Sequence, residues 1–216
     1  MQVLALPQLP TDLVTFDDLS VALARDESLT GFTAVNQDLS KFRVKALSIT
    51  EARLEKIVAI EADFEKVSLS DVVFLHCNLT AANCAEASWR RVQLNSMRCS
   101  GLKLQTSTLK DVVFEDCKLD LSNFRFSKLK NIRFKDCVLD EADFYSAELE
   151  NVQFQGCSLS KAEFSAAKCK AVDLRTSEIT EVLGVEGLAG ATIDSVQLIA
   201  ISQCLAQAFK INVSNE

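Results

Sequence analysis

Eight cysteines and a single histidine are the most reactive side chains of this 216-residue sequence. The cysteines are Cys77, Cys84, Cys99, Cys117, Cys137, Cys157, Cys169 and Cys204. Thiolates can ligate zinc, join as disulfides or attack electrophilic carbon, and each chemistry demands its own spacing. No C-x-x-C pair occurs, and His76 has no second histidine to join it, so zinc-site spacing is missing. His76 adjoins Cys77, but neighbours on an extended chain point to opposite sides, which disfavours a Cys–His nucleophile pair. Glycine-rich phosphate loops and metalloprotease helix signatures are absent too. The expectation is a non-enzymatic chain with no catalytic residues, no metal ligands and no cofactor.

The cysteines do obey a spacing, but packing sets it. Every fifth residue from Leu39 to Ile179 is apolar, as in Leu104, Leu109, Phe114, Leu119, Phe124, Leu129 and Phe134. Two residues before each lies a second uncharged position, holding small or apolar residues such as Val112, Cys117, Ser122 and Ser127. All the cysteines but Cys204 fall on these two positions. A period of five fits neither an amphipathic helix nor a simple strand. A longer period of twenty aligns Val112–Asn131, Ile132–Asn151 and Val152–Ala171, which stacks Phe114, Phe134 and Phe154 in one column. Cys117, Cys137 and Cys157 form another column, and Phe124, Phe144 and Phe164 a third. Four units per turn, stacked like on like, describe a solenoid. The coil spacing exceeds the roughly 3.5–4.5 Å Cβ separation of a disulfide, so the cysteines read as small buried hydrophobes in a reducing compartment.

The repeats Ala62-Asp63-Phe64, Ala82-Asn83-Cys84, Ala142-Asp143-Phe144 and Ala162-Glu163-Phe164 resemble the A-(D/N)-L-x-x consensus of the bacterial pentapeptide-repeat family. The resemblance implies an all-β fold, a right-handed quadrilateral parallel β-helix, with one pentapeptide per side. Seven coils would make a rod on the order of 34 Å long. The expected organisation is an N-terminal cap or distorted first coils over residues 1–38, the β-helix over 39–182, and a C-terminal helical cap over 183–216. Glu27 and Gln37 would face inward if the frame ran on, so the regular coil is expected to start after them.

An open solenoid needs caps at both ends. Asp17–Arg25 suits a short helix at the first. At the second, Asp194 and Gln197 form a capping-box pair ahead of a capping α-helix expected over Ser195–Phe209. Leu198, Ile201, Cys204, Leu205, Ala208 and Phe209 share an arc, and Val196 and Ile199 lie outside it. The segment from Gly187 to Leu198 is similar to the tail of quinolone-resistance members, where such a helix joins two rods. The resemblance therefore implies a homodimer, with Val196, Leu198, Ile199, Ile201, Leu205 and Phe209 at its interface.

Charge is unevenly placed. The net −7 divides into −5 over residues 1–40, −4 over 178–216 and +2 between. One side carries Arg90, Arg91, Lys110, Lys128 and Lys130, and Leu121 and Phe126 stand outward on one coil. These seven residues are the candidate surface for a protein partner. The basic stripe is too weak for direct nucleic-acid binding. The family's best-known activity is protection of DNA gyrase and topoisomerase IV by acidic, duplex-like rods, so a type II topoisomerase is the alternative partner. The nearly neutral repeats and unbroken frame depart from that pattern. No apolar run is long enough to span a membrane and the first residues lack a signal pattern, so a cytoplasmic protein is expected.

Overall fold

A residue with left-handed backbone closes each five-residue unit. In the computed structural model, which describes residues 4–214, the position two after each inward centre from Leu39 to Cys169 takes a φ of 50° to 68°. Asp111, Asp116, Leu121 and Phe126 are four successive examples around one turn. A non-glycine residue in this region costs about 1–2 kcal/mol, so each corner persists because the coils on either side hold it.

Four corners make a turn of twenty residues, and turns stack in register. The strands are β1 (Val14–Thr15), β2 (Ser28–Val35), β3 (Ser48–Glu55), β4 (Ser68–Leu75), β5 (Ser88–Asn95), β6 (Thr108–Glu115), β7 (Lys128–Lys135), β8 (Glu148–Gln155), β9 (Lys168–Asp173) and β10 (Ala191–Thr192). They form one parallel sheet in chain order. Val112 faces Ile132 and Phe114 faces Phe134, an offset of one turn. Each long strand bends at its left-handed residue (Asp111 in β6) and so covers two sides of the square. Parallel bridges such as Lys118–Val138 and Asn123–Asp143 hold the other two. There the Leu119 N–H donates to Val138 O at 2.7 Å, and the Val138 N–H to Cys117 O at 3.0 Å. The result is an all-β, right-handed pentapeptide solenoid with C-terminal capping helices.

The coil spacing dictates the core. Phe114, Phe134 and Phe154 stack at 4.9 and 5.0 Å between ring centroids, close to the ~4.8 Å between strands. Phe124, Phe144 and Phe164 stack beside them at 4.9 and 5.1 Å, and the two ladders meet edge to face at 6.0 Å. Such pairs add stability beyond burial. Inward serines are satisfied locally: the Ser122 hydroxyl donates to Leu119 O at 2.6 Å and the Ser127 hydroxyl to Phe124 O at 2.5 Å.

The ends differ from the sequence expectation in two respects. In-register pairing begins at Ser28, about half a coil before the expected start at residue 39, because Gln37 tolerates its inward position. Its side-chain carbonyl accepts from the Leu19 N–H and its amide donates to Phe16 O, both at 2.6 Å. It thereby ties down α1 (Leu19–Arg25), which Asp18 caps and which buries Leu19 and Leu23 over the open coil. At the other end the single helix expected over Ser195–Phe209 is two, α2 (Ser195–Ala200) and α3 (Ser202–Ala208). The break falls at Ile201 (φ −95°, ψ 6°), whose side chain is buried against the core, while the Ser202 hydroxyl takes Ile199 O at 2.7 Å. The Asp194–Gln197 capping box forms as the sequence indicates. Gln197 also plugs the rod: its amide donates to Leu174 O at 2.6 Å and Ser177 O at 2.5 Å.

Candidate interaction surfaces

The thiols come first, because they could carry chemistry. All eight are free; six are buried, and Cys169 and Cys204 are half-buried. Burial pushes the Cys84 thiol up to about 12 and Cys169 to about 11, and raises Cys99 well above the ordinary range. Cys137 rises to about 12, through its hydrogen bond with Cys117 and then through burial. A thiolate is the reactive form, so these groups are inert at neutral pH. His76 is exposed while Cys77 is buried with its thiol on Leu54 O and Leu75 O, so the two do not pair. No cluster of His, Cys, Asp or Glu among the described residues could hold a metal. Among the described residues no helix is long and apolar enough to cross a membrane.

The basic stripe separates into paired and unpaired parts. Arg91 stands at a corner, not on the flat side, and is bound to Asp71 by two guanidinium contacts, Nε at 2.6 Å and the shorter Nη2 contact. This pairing holds the Asp71 carboxyl below its ordinary range. Asp71 also accepts the Gln8 N–H at 3.0 Å, which anchors the N-terminal segment to the side of the rod. Arg91 therefore leaves the candidate partner surface and joins the structure. Toward the C-terminus the stripe becomes a charge ladder: Lys130 and Lys170 flank Glu150 at 3.0 and 3.1 Å, and Lys168 meets Glu148 at 3.2 Å. Arg90, Lys110 and Lys128 have no ion-pair partner among the described residues. Arg90 lies beside Lys110 and Lys110 beside Lys130 in the sheet register, so they form a flat cationic platform on β5, β6 and β7.

Phe126 occupies the corner that borders this platform and is 53% exposed. It meets Tyr145 edge-on at 5.6 Å, and the Arg125 guanidinium lies 4.3 Å from the Tyr145 ring centre. Arg125 is held at 2.9 Å by Asp143. Arg125 and Tyr145 were missed in the sequence because their positions are outward and unremarkable in the frame; only the stacking of coils brings them to Phe126. Leu121, 59% exposed, stands at the opposite corner of that side and does not join the cluster. Beyond Arg125 a shallow groove gathers Glu141, Asp143, Glu163 and Glu181 with Lys161.

The C-terminal candidates also divide. Val196 and Ile199 are 73% and 74% exposed, and Leu198 and Phe209 are exposed as well. Leu205 is half-buried. Leu198, Leu205 and Phe209 line an apolar cleft with Leu188 and Ile193. Ile201, at 2%, is buried in the cap at the floor of this cleft.

A family model described as a pentapeptide repeat region matches residues 107–183. HetL, a pentapeptide-repeat protein involved in heterocyst differentiation regulation in the cyanobacterium Nostoc sp. strain PCC 7120, is 16% identical, over 77% of this chain and 90% of its own, with a TM-score of 0.45. Full-length QnrB1, a plasmid-mediated fluoroquinolone resistance protein, is 18% identical over 82% of this chain and 99% of its own, with a TM-score of 0.36. Rfr23 from the cyanobacterium Cyanothece 51142 is 14% identical over 78% and 84%, with a TM-score of 0.19. No curated protein sequence matches. The five-residue frame and the twenty-residue register give the chain a pentapeptide-repeat solenoid fold, and its residues 107–183 match the pentapeptide repeat region of the family model.

Proposed function

We propose that this chain is a non-catalytic binding rod that takes an acidic protein surface on its Phe126 side. The observation that carries the reading is one contiguous patch: unpaired Arg90, Lys110 and Lys128, bordered by Phe126, Arg125 and Tyr145. Exposed aromatic and arginine side chains beside each other are the composition of binding hot spots, and the lysines supply complementarity and on-rate. The rod itself is a homodimer joined through α2 and α3, whose exposed Val196, Ile199 and Phe209 are more apolar surface than a short helix pair leaves to water without a partner. Light scattering tests the dimer: Ile199→Asp should give a monomer, and a wild-type monomer sinks the claim. For the patch, a partner recovered with the wild-type protein should be lost with Phe126→Ala and with Lys110→Glu/Lys128→Glu. Retention by both variants refutes the site.

A second reading, modulation of DNA gyrase or topoisomerase IV, is what the resemblance to quinolone-resistance members implies. Its support on this chain is the acidic group Glu141, Asp143, Glu163 and Glu181 on the last coils. A supercoiling assay with and without quinolone separates the two. A salt-sensitive change in supercoiling, abolished by Asp143→Lys/Glu163→Lys, favours the topoisomerase; no effect at micromolar protein removes it.

A further inference from the structure

The phenylalanine ladders run unbroken only through the later coils. In the earlier coils two columns lose bulk. Ala59 stands between Leu39 and Leu79, and Cys84 between Phe64 and Leu104. The two truncations fall on adjacent sides of consecutive coils. The backbone cannot collapse to fill the gap, because each coil is pinned to the next: the Ala59 N–H donates to Asn78 O at 2.7 Å and the Cys84 N–H to Lys103 O at 2.8 Å. An internal void of about 50 Å³ results. Leu19 and Leu23 of α1 border it from the N-terminal cap, and Trp89 borders it from the deepest coil it reaches.

Only apolar atoms face this void. The indole N–H of Trp89 is buried without a hydrogen-bond partner. A buried water makes about two to four hydrogen bonds, and one indole donor cannot supply them, so water gains little by entering. An apolar guest gains the dispersion contacts that the lining atoms lack. Dry engineered cavities of ~150 Å³ take benzene or xenon; this smaller void suits a guest below benzene in size. We infer that the void is a binding site for a small uncharged apolar molecule, a gas atom or light hydrocarbon. Its N-terminal end is covered by α1, a helix of seven residues that the Gln37 amide and two leucines hold in place.

Trp89 is the sole tryptophan of the chain, so its fluorescence, excited beyond the tyrosine band, reports on this site. Xenon is the probe, because it is apolar and quenches indole emission as a heavy atom. Wild-type protein should show quenching that saturates with xenon pressure. Ala59→Leu, which fills the void, should leave only weak linear quenching, lower by several-fold. If that variant does not fold by circular dichroism, Ala59→Val serves with the same expectation. A crystal pressurised with xenon should carry one strong site beside Trp89, Ala59 and Cys84. Equal linear quenching in both proteins, xenon bound only elsewhere, or an ordered water on the Trp89 N–H would overturn the inference.

Discussion

Replacing Gln197 by leucine tests how the rod is closed. The Gln197 side chain is 6% exposed and makes three hydrogen bonds. Its amide donates to Leu174 O at 2.6 Å and Ser177 O at 2.5 Å, and its carbonyl accepts the Asp194 N–H at 2.9 Å. Leucine has nearly the same volume but makes none of them. Leu174 O keeps the Ser177 N–H at 2.9 Å, so its loss is partial. Ser177 O and the Asp194 N–H lose the partner this amide provides. Each buried polar group left unsatisfied costs about 1–3 kcal/mol. The added apolar burial of leucine returns about 1–2 kcal/mol. The expected net loss is about 2–4 kcal/mol. It should be local, because neighbouring coils bear the energetics of a solenoid. Hydrogen exchange is the assay: amides of β9, β10 and α2 should exchange faster by two or more orders of magnitude, roughly what such a loss implies, while β5 and β6 stay protected. Unchanged protection at β10, or equal acceleration along the whole rod, would refute the plug.

Other predictions follow from single contacts. Asp71→Ala should free the N-terminal segment from the rod and speed proteolysis within residues 4–13 at neutral pH; an unchanged cleavage rate counts against the Gln8–Asp71 anchor. Because Arg91 holds the folded Asp71 carboxyl below its ordinary value of 3.8, the stability it contributes is present above that pH and lost as pH falls below it. Thermal melting of the wild type should show that acid loss, and Asp71→Ala should lack its share. Thr106 is a β-branched residue at φ 61°, so Thr106→Asn should raise stability by about 0.5–1 kcal/mol in denaturant melts; a lower midpoint would show that the corner is not strained. A thiol reagent at pH 8 should modify Cys204 and then Cys169, with the six buried cysteines reacting only on unfolding; early reaction of Cys84 or Cys137 would contradict their burial.

The sequence alone determined which side chains face in and which face out. A five-residue period with a left-handed corner leaves no freedom in that assignment, so the fold, the buried cysteines and the capping box at Asp194 were all readable from the residues. Tertiary structure decided what the outward residues do. Arg91 and Arg90 are sequence neighbours, yet one is locked to Asp71 and the other has no ion pair among the described residues, because only Arg91 stacks on a carboxylate in its own corner column one coil away. Phe126 acquires Tyr145 by the same stacking of coils. The ends were least readable, since Gln37 and Gln197 break the apolar rule where no further coil exists to satisfy the backbone. Their amides supply those hydrogen bonds instead. The void beside Trp89 was decided last of all, by Ala59 and Cys84 on adjacent sides of consecutive coils. Each obeys the frame, and only their stacking leaves space between them.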